Sequence, residues 1–319
     1  MFENDFAVSL KDFSATFNLA ERTPYMMIKG DPDTFKTIKK GKNTFIPSSA
    51  VKSYRDKKNL VREGDKVYSF YMRKGGVGKT SLLMNLSAKA VMCGYKVLLI
   101  DMDSQANLTK AYKIKDVKTK DTFQDIFDEV SSLREAQIEV KKNLFLIPCN
   151  NKFAGLANKI DPMEGYNQFE VIINEAREEY DLVFIDNGGI MDMTIFQTLA
   201  SSDHVISPAQ PDEFSEEGLE LTQDEIKKLY KQGIRPKHTI VMNFFRDKEK
   251  ASVEYHEMFK DIYDKSVAAT TIPKSQEFIN ALNNYDAISL YEHNYSSPVV
   301  VQLDCLFSEL IEGRKVKVQ

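Results

Sequence analysis

From Val67 to Met242, short apolar runs alternate with longer stretches in which apolar residues recur every three or four positions. The runs Val67–Met72, Lys96–Ile100, Leu144–Ile147, Leu182–Ile185, His204–Ser207 and Thr239–Met242 predict strands buried on both faces. The amphipathic stretches between them predict crossover helices, among them one over 80–92 stopped by Gly94. The fold class is therefore α/β, a doubly wound, mostly parallel sheet. The first 65 residues pattern differently. They read as a helix at Val8–Phe17, a second helix over 24–40, a basic hairpin at Gly41–Pro47 and a helix at Ser48–Lys58. Ser48 and Ser49 are candidate caps, and Asn43–Ile46 is the main strand-like run. Two domains result, a small helical one over 1–65 and a larger one over 66–319.

With 42% hydrophobic and 28% charged residues, the 319-residue chain is neither disordered nor of low complexity. Its longest apolar runs, such as Val97–Ile100 and Val299–Val301, fall far short of the ~18 residues a membrane span needs. The opening Met1-Phe2-Glu3-Asn4-Asp5 is acidic where a signal peptide would be basic, so a cytoplasmic protein without a membrane partner is expected. Cys93, Cys149 and Cys305 are odd in number and widely spaced, which argues against a disulfide framework or structural zinc. The net charge is −4, yet Lys29–Arg62 holds ten Lys/Arg against Asp31, Asp33 and Asp56. Such a block is either a surface for polyanions or a solvated face. With its wing-like basic-x-aromatic-x-Pro hairpin, the segment resembles a small winged helix-turn-helix of the MerR-like kind. That resemblance implies a DNA-binding unit; a helical docking arm or dimerisation cap is the alternative.

The strand at 67–72 runs into Arg73-Lys74-Gly75-Gly76-Val77-Gly78-Lys79-Thr80-Ser81. A glycine-rich turn between a strand and a helix points successive N–H groups and a helix N-terminus at one place, which suits phosphate. Lys79 would reach the β- and γ-phosphates of ATP, and Thr80 would put its hydroxyl on Mg²⁺. Arg73 stands where the common loop begins with Gly, and Lys74 beside it adds a second lysine.

This deviant loop resembles that of ParA/MinD ATPases, and the likeness to ParA partition proteins runs from about Lys66 to Leu310. Val97-Leu-Leu-Ile-Asp101-Met-Asp103-Ser104-Gln-Ala-Asn resembles the family's second motif, with Ser104 in place of Pro. Tyr180-Asp-Leu-Val-Phe-Ile-Asp186 resembles its Walker B strand. Ser207–Leu219, Val241–Phe245 and Thr271–Ser275 match later landmarks in order. The resemblance implies that Asp103 orients the attacking water, that Asp101 and Asp186 support Mg²⁺, and that Asn243 reads the adenine edge. It further implies that Lys74 crosses a homodimer to the other subunit's phosphates. Asn187-Gly188-Gly189 replaces the family's Thr-Pro-Pro after Asp186, which implies an altered response of this loop to γ-phosphate.

The expected function is an ATP-dependent partition protein of a plasmid or other low-copy replicon. It would dimerise on ATP, associate with the nucleoid by binding DNA nonspecifically, and be reset by a ParB-like centromere-binding partner. Arg235, Lys237, Arg246, Lys248, Lys250 and Lys274 are the candidate DNA contacts, although each alone reads as an ordinary solvated side chain. The alternatives are a positioning ATPase for a protein cargo or division site, and a DNA-binding autorepressor with weak ATPase activity.

Overall fold

The computed structural model describes residues 6–40, 43–60, 64–117, 120–150, 155–160, 165–278 and 297–313. Lys42 and Arg62 of the basic block lie outside them. The N-terminal unit runs β1 (Ala7–Ser9), α1 (Leu10–Thr16), α2 (Thr23–Gly30), β2 (Ile38–Lys40), β3 (Asn43–Pro47), α3 (Ser48–Lys57). Its antiparallel sheet has the order β1-β3-β2, with Val8 opposite Ile46 and Lys40 opposite Asn43. Three expectations are corrected here. Val8 belongs to a strand, because the apolar Ala7 and Val8 pair with β3 before the helix begins. The second helix stops at Gly30, since Pro32 disfavours helical backbone at Asp31, whose carboxylate instead accepts the Thr34 N–H at 3.1 Å. Neither Ser48 nor Ser49 caps α3; Pro47 occupies the cap position, and the Ser48 N–H donates to the Phe6 carbonyl at 2.7 Å.

The larger unit follows as β4 (Val67–Phe70), α4 (Lys79–Met92), β5 (Val97–Met102), α5 (Asn107–Ala111), α6 (Phe123–Phe127), α7 (Leu133–Ala136), β6 (Ile138–Lys141) and β7 (Leu144–Ile147). It continues with α8 (Leu156–Lys159), α9 (Gly165–Glu179), β8 (Leu182–Asn187), α10 (Met193–Ala200), β9 (His204–Ala209), α11 (Glu213–Lys231), β10 (Lys237–Met242), α12 (Lys250–Tyr263) and α13 (Pro298–Leu310). The sheet order is β10-β9-β4-β8-β5-β7-β6, parallel except for β6, an antiparallel edge strand that periodicity did not disclose. Alternation along each strand fills both faces: Val97 and Leu99 pack toward α4 and α13, Leu98 and Ile100 toward α6 and α9. Among the described residues no helix is long and apolar enough to cross a membrane.

Helix α4 explains how the two units meet. Apart from Thr80, every one of its residues is buried, so it needs cover on all sides rather than on one stripe. The sheet covers one side, α13 another, and the N-terminal unit the end of the helix. There Arg55 lies 4.1 Å above the Tyr95 ring, and Phe13, Phe35 and Ile46 join the same apolar cluster as Leu86 and Val91. Gly94 has φ +83°, and a Cβ on it would lie 2.9 Å from the Lys52 N and 3.0 Å from the Val51 carbonyl carbon. Gly94→Ala is therefore expected to destabilise by about 1–3 kcal/mol, because the backbone of α3 has to retreat and a left-handed residue gains a side chain. A thermal melt unchanged from wild type would show that this contact is not close-packed.

Candidate functional site

The carboxyl ends of β4, β5, β8 and β10 open on one cleft of about 880 Å³, where a doubly wound sheet gathers ligands. Its floor is the turn from β4 into α4. Gly75 and Gly76 line it, and Gly76 and Gly78 are left-handed at φ +74° and +91°. Gly78 has a second reason to lack a side chain, since a Cβ there would sit 2.3 Å from the Asn243 amide nitrogen. Val77 is fully buried and its carbonyl accepts the Asn243 Nδ2–H at 2.8 Å. Ser81 lies on the cleft wall, almost buried.

Lys79 is buried, and its ammonium donates to the carbonyls of Met72 at 3.4 Å and Lys74 at 3.3 Å. Burial pushes its pKa down, while Asp186 and Asp103 push it back up. A desolvated cation among glycine amides is a strong phosphate ligand in waiting. Asp101 and Asp186 sit directly opposite each other in the β5–β8 register, both fully buried. Burial raises both carboxyls; the Asp101 and Asp103 charges raise Asp186 further and the Asp103 charge raises Asp101, against hydrogen bonds that lower both and the Lys79 charge that lowers Asp186. Asp101 accepts from the Thr109 N–H at 2.8 Å, the Thr109 hydroxyl at 2.7 Å and the Asp103 N–H at 3.2 Å. Asp186 Oδ2 accepts the Thr80 hydroxyl at 2.7 Å, but Asp186 Oδ1 is buried without a hydrogen-bond partner.

That orphaned carboxylate oxygen beside a hydroxyl is the donor set a hard cation would satisfy. Among the described residues no group of three or more His, Cys, Asp or Glu could hold a metal ion. Mg²⁺ asks for less, because it keeps several waters and takes one or two protein oxygens plus phosphate. The residues present therefore fit Mg²⁺ bound together with a nucleotide.

Asp103 is half-buried on the cleft wall, its Oδ1 accepting the Gln105 N–H at 2.9 Å. Lys74 points away from the cleft floor and ion-pairs with Asp212 at 2.7 Å. The structure thus gathers Gly75, Gly76, Val77, Gly78, Lys79, Thr80, Ser81, Asp101, Asp103 and Asp186 around one cleft, with Lys74 at its margin. Asn243 is fully buried beneath the loop, where its Nδ2 bonds Val77 and its Oδ1 has no hydrogen-bond partner. Phe244, left-handed at φ +56°, is the residue of this segment that lines the cleft.

Other supports were not anticipated. Asn187 donates to the Phe70 carbonyl at 3.3 Å and accepts the Thr198 hydroxyl at 2.6 Å, tying β4 and β8 to α10. The Tyr71 hydroxyl donates to Glu225 at 2.7 Å, and Arg73 pairs with the same carboxylate at 3.5 Å, so α11 braces the residues before the loop. Gly188 and Gly189 have no Cβ conflict closer than 3.5 Å, so steric need does not account for this pair. The basic residues divide. Arg235 and Lys237 stand where β10 begins, with Lys237 paired to Asp65 at 2.7 Å, whereas Arg246, Lys248 and Lys250 follow its other end. Lys274 joins the latter, its N–H donating to the Phe245 carbonyl at 2.9 Å. Six strand residues, about 20 Å, separate the two groups.

Residues 65–240, more than half of the chain, match the family described as AAA domain. The chromosome-partitioning ATPase Soj of Treponema pallidum is 27% identical over 232 residues, covering 71% of this chain and 90% of Soj. A crystal structure of a plasmid partition protein from Borrelia burgdorferi superposes with a TM-score of 0.59 at 24% identity, covering 72% of this chain and 99% of that one. The ATP complex of McdA from Cyanothece superposes with a TM-score of 0.70 at 20% identity, covering 81% of this chain and all of that one.

Proposed function

The chain belongs to the AAA domain family and is a P-loop ATPase of the ParA partition type; from that premise we propose that it is an ATP-switched DNA segregation protein. The observation that carries this reading is the cluster at the glycine loop: Lys79 within reach of the Asp186 and Asp103 charges, Asp101 opposite Asp186, and the Thr80 hydroxyl already on Asp186. ATP would be held by the amides of Gly75–Thr80 and by Lys79, and Mg²⁺ by Thr80 and Asp186. The cation would offset charge on the β- and γ-phosphates. Asp101, fixed by Thr109 and opposite Asp186, would support the water shell of the cation, while Asp103 stands on the cleft wall where a water could be oriented for in-line attack. Lys74 would supply a cation to the phosphates of a second copy, and the loss of γ-phosphate would release the dimer. A ParB-like partner would accelerate that loss.

Nonspecific DNA binding is assigned to the group at the nucleotide end of β10, Arg246, Lys248, Lys250 and Lys274. The N-terminal unit is read as a second, sequence-reading DNA module: α1 and α2 are followed by a basic antiparallel hairpin, and α2 exposes Tyr25, Met26 and Lys29. The test measures affinity for random-sequence DNA against salt, with ATP and with ADP. Binding is expected only with ATP, and Lys248→Ala and Lys274→Ala are each expected to reduce the log–log salt slope by a little under one unit. Arg235→Ala, at the far end of the sheet, is expected to leave the slope unchanged. Equal binding with ATP and ADP, or a slope that responds to Arg235 alone, would refute this assignment.

A further inference from the structure

A groove on the sheet face away from α4 shares no lining residue with the nucleotide cleft. It encloses about 430 Å³ between the α6–α7 turn and the outer side of α9. Ile126, Leu133 and Ile172 make its floor and belong to the buried cluster beneath. Val130 and Val171 stand on its two walls, 75% and 67% exposed. Val130 is held in place, since its N–H and that of Ser131 both donate to the Asp125 carbonyl, at 2.9 and 3.2 Å, and the Ser131 hydroxyl donates to Asp121 at 2.9 Å. Two fixed aliphatic side chains standing in water above an apolar floor gain free energy when something covers them. The rim is acidic. Glu129, Glu135 and Glu175 line it, and among the described residues no Lys, Arg or His does. Glu129 takes the left-handed position after α6, at φ +57°, where Gly is the usual residue, so a carboxylate is kept there against a backbone cost. Hydrogen bonds from the Ser132 hydroxyl and N–H hold the Glu135 carboxyl below its ordinary pKa, so it stays ionised. Arg134 and Lys159 are engaged elsewhere, with Glu179 and Asp128.

We propose that this groove docks a basic segment of another protein, which seats an aliphatic side chain between Val130 and Val171 and sets Lys or Arg against Glu129, Glu135 and Glu175. Charge selects the class of partner. Three carboxylates without a cation among them repel a nucleic-acid backbone and attract a cationic peptide. A second copy pairing symmetrically through the same face would bring acidic rim against acidic rim, so self-association here is opposed. The two valines add a requirement that charge alone does not make, because a purely polar basic segment would leave them in water. A space of this size takes a few side chains of an extended or helical segment rather than a folded surface. Since the groove and the nucleotide cleft have no residue in common, the segment binds whichever nucleotide is present.

The full chain, immobilised with Mg²⁺ and AMPPNP, is screened against a displayed library of short random peptides. Enriched sequences are expected to carry several Lys or Arg around an aliphatic residue. A synthetic peptide of the enriched sequence is then titrated by fluorescence anisotropy against wild type and two double variants. Val130→Ser with Val171→Ser is expected to weaken binding roughly tenfold, because the aliphatic side chain loses its cover. Glu129→Gln with Glu175→Gln is expected to weaken it a few-fold and to flatten its dependence on salt. All four side chains are exposed, so both variants should melt like wild type. Exchanging AMPPNP for ADP is expected to leave the affinity unchanged. No enrichment, or enrichment of acidic or uncharged sequences, would overturn the proposal. A peptide that binds all the variants alike, or that AMPPNP displaces, would place its site elsewhere and overturn it too. Self-association of the wild type that Val171→Ser abolishes would make the occupant a second copy, again against the proposal.

Discussion

Lys79→Ala is expected to raise the dissociation constant for ATP by roughly thirty- to several-thousandfold, the equivalent of about 2–5 kcal/mol for removing a buried charged ligand from a charged partner. The size of the effect follows from where the ammonium sits. It is desolvated, it already leans on the Met72 and Lys74 carbonyls, and it is surrounded by a loop whose other donors are backbone amides. An ammonium in that position gains a phosphate without first being stripped of bulk water. The same burial means that the alanine variant loses an unfavourable buried charge, so its thermal stability without nucleotide should not fall markedly. Isothermal titration gives the affinity and a melt gives the control. Affinity within threefold of wild type, in a folded variant, would remove Lys79 from the phosphate site.

Asp103→Ala is expected to lower kcat by about 10²–10⁴-fold while nucleotide affinity changes little, the range expected when a positioned acceptor is lost from proton transfer or water orientation. The three carboxylates of the cleft are not equivalent. Asp101 is fully buried and takes three hydrogen bonds, and Asp186 is buried against Thr80, whereas Asp103 is half-buried on the wall. Of these three, only Asp103 is open to solvent in the cleft. The variant should accumulate as an ATP-bound dimer, which size-exclusion chromatography after incubation with ATP would detect. Wild-type turnover in Asp103→Ala would exclude it as the water-orienting group.

The phosphate site was legible because its chemistry is local. A run from Val67 to Met72 followed by Gly75, Gly76, Gly78, Lys79 and Thr80 places a strand, a left-handed turn and a helix N-terminus in one short segment, whatever surrounds them. Asp101 and Asp186 were legible for a related reason. Each ends a continuous apolar run, and parallel strands that begin together bring such ends side by side. Strand limits were less well defined: β9 and β10 run beyond the expected His204–Ser207 and Thr239–Met242, because Pro208 and Ala209 of β9 and Lys237 and His238 of β10 still pair across the two strands.

What the sequence by itself determined is the fold class, the loop and the identity of the buried carboxylates, since these follow from periodicity and from residues adjacent along the chain. Tertiary structure alone decided the rest. Lys74 meets Asp212 across 138 positions, Tyr71 meets Glu225 across 154, and Asn243 meets Val77 across 166. No local period encodes such pairs, because they depend on which strands are neighbours in the sheet and how near α11 can approach. The cover of α4 by the N-terminal unit is of the same kind. Its residues are buried on every side although several are polar, and only the packed chain, with Gly94 against α3, shows what supplies the cover. The division of the basic residues between two ends of β10 also required the sheet, for proximity in sequence says nothing about which end of a strand a side chain stands on.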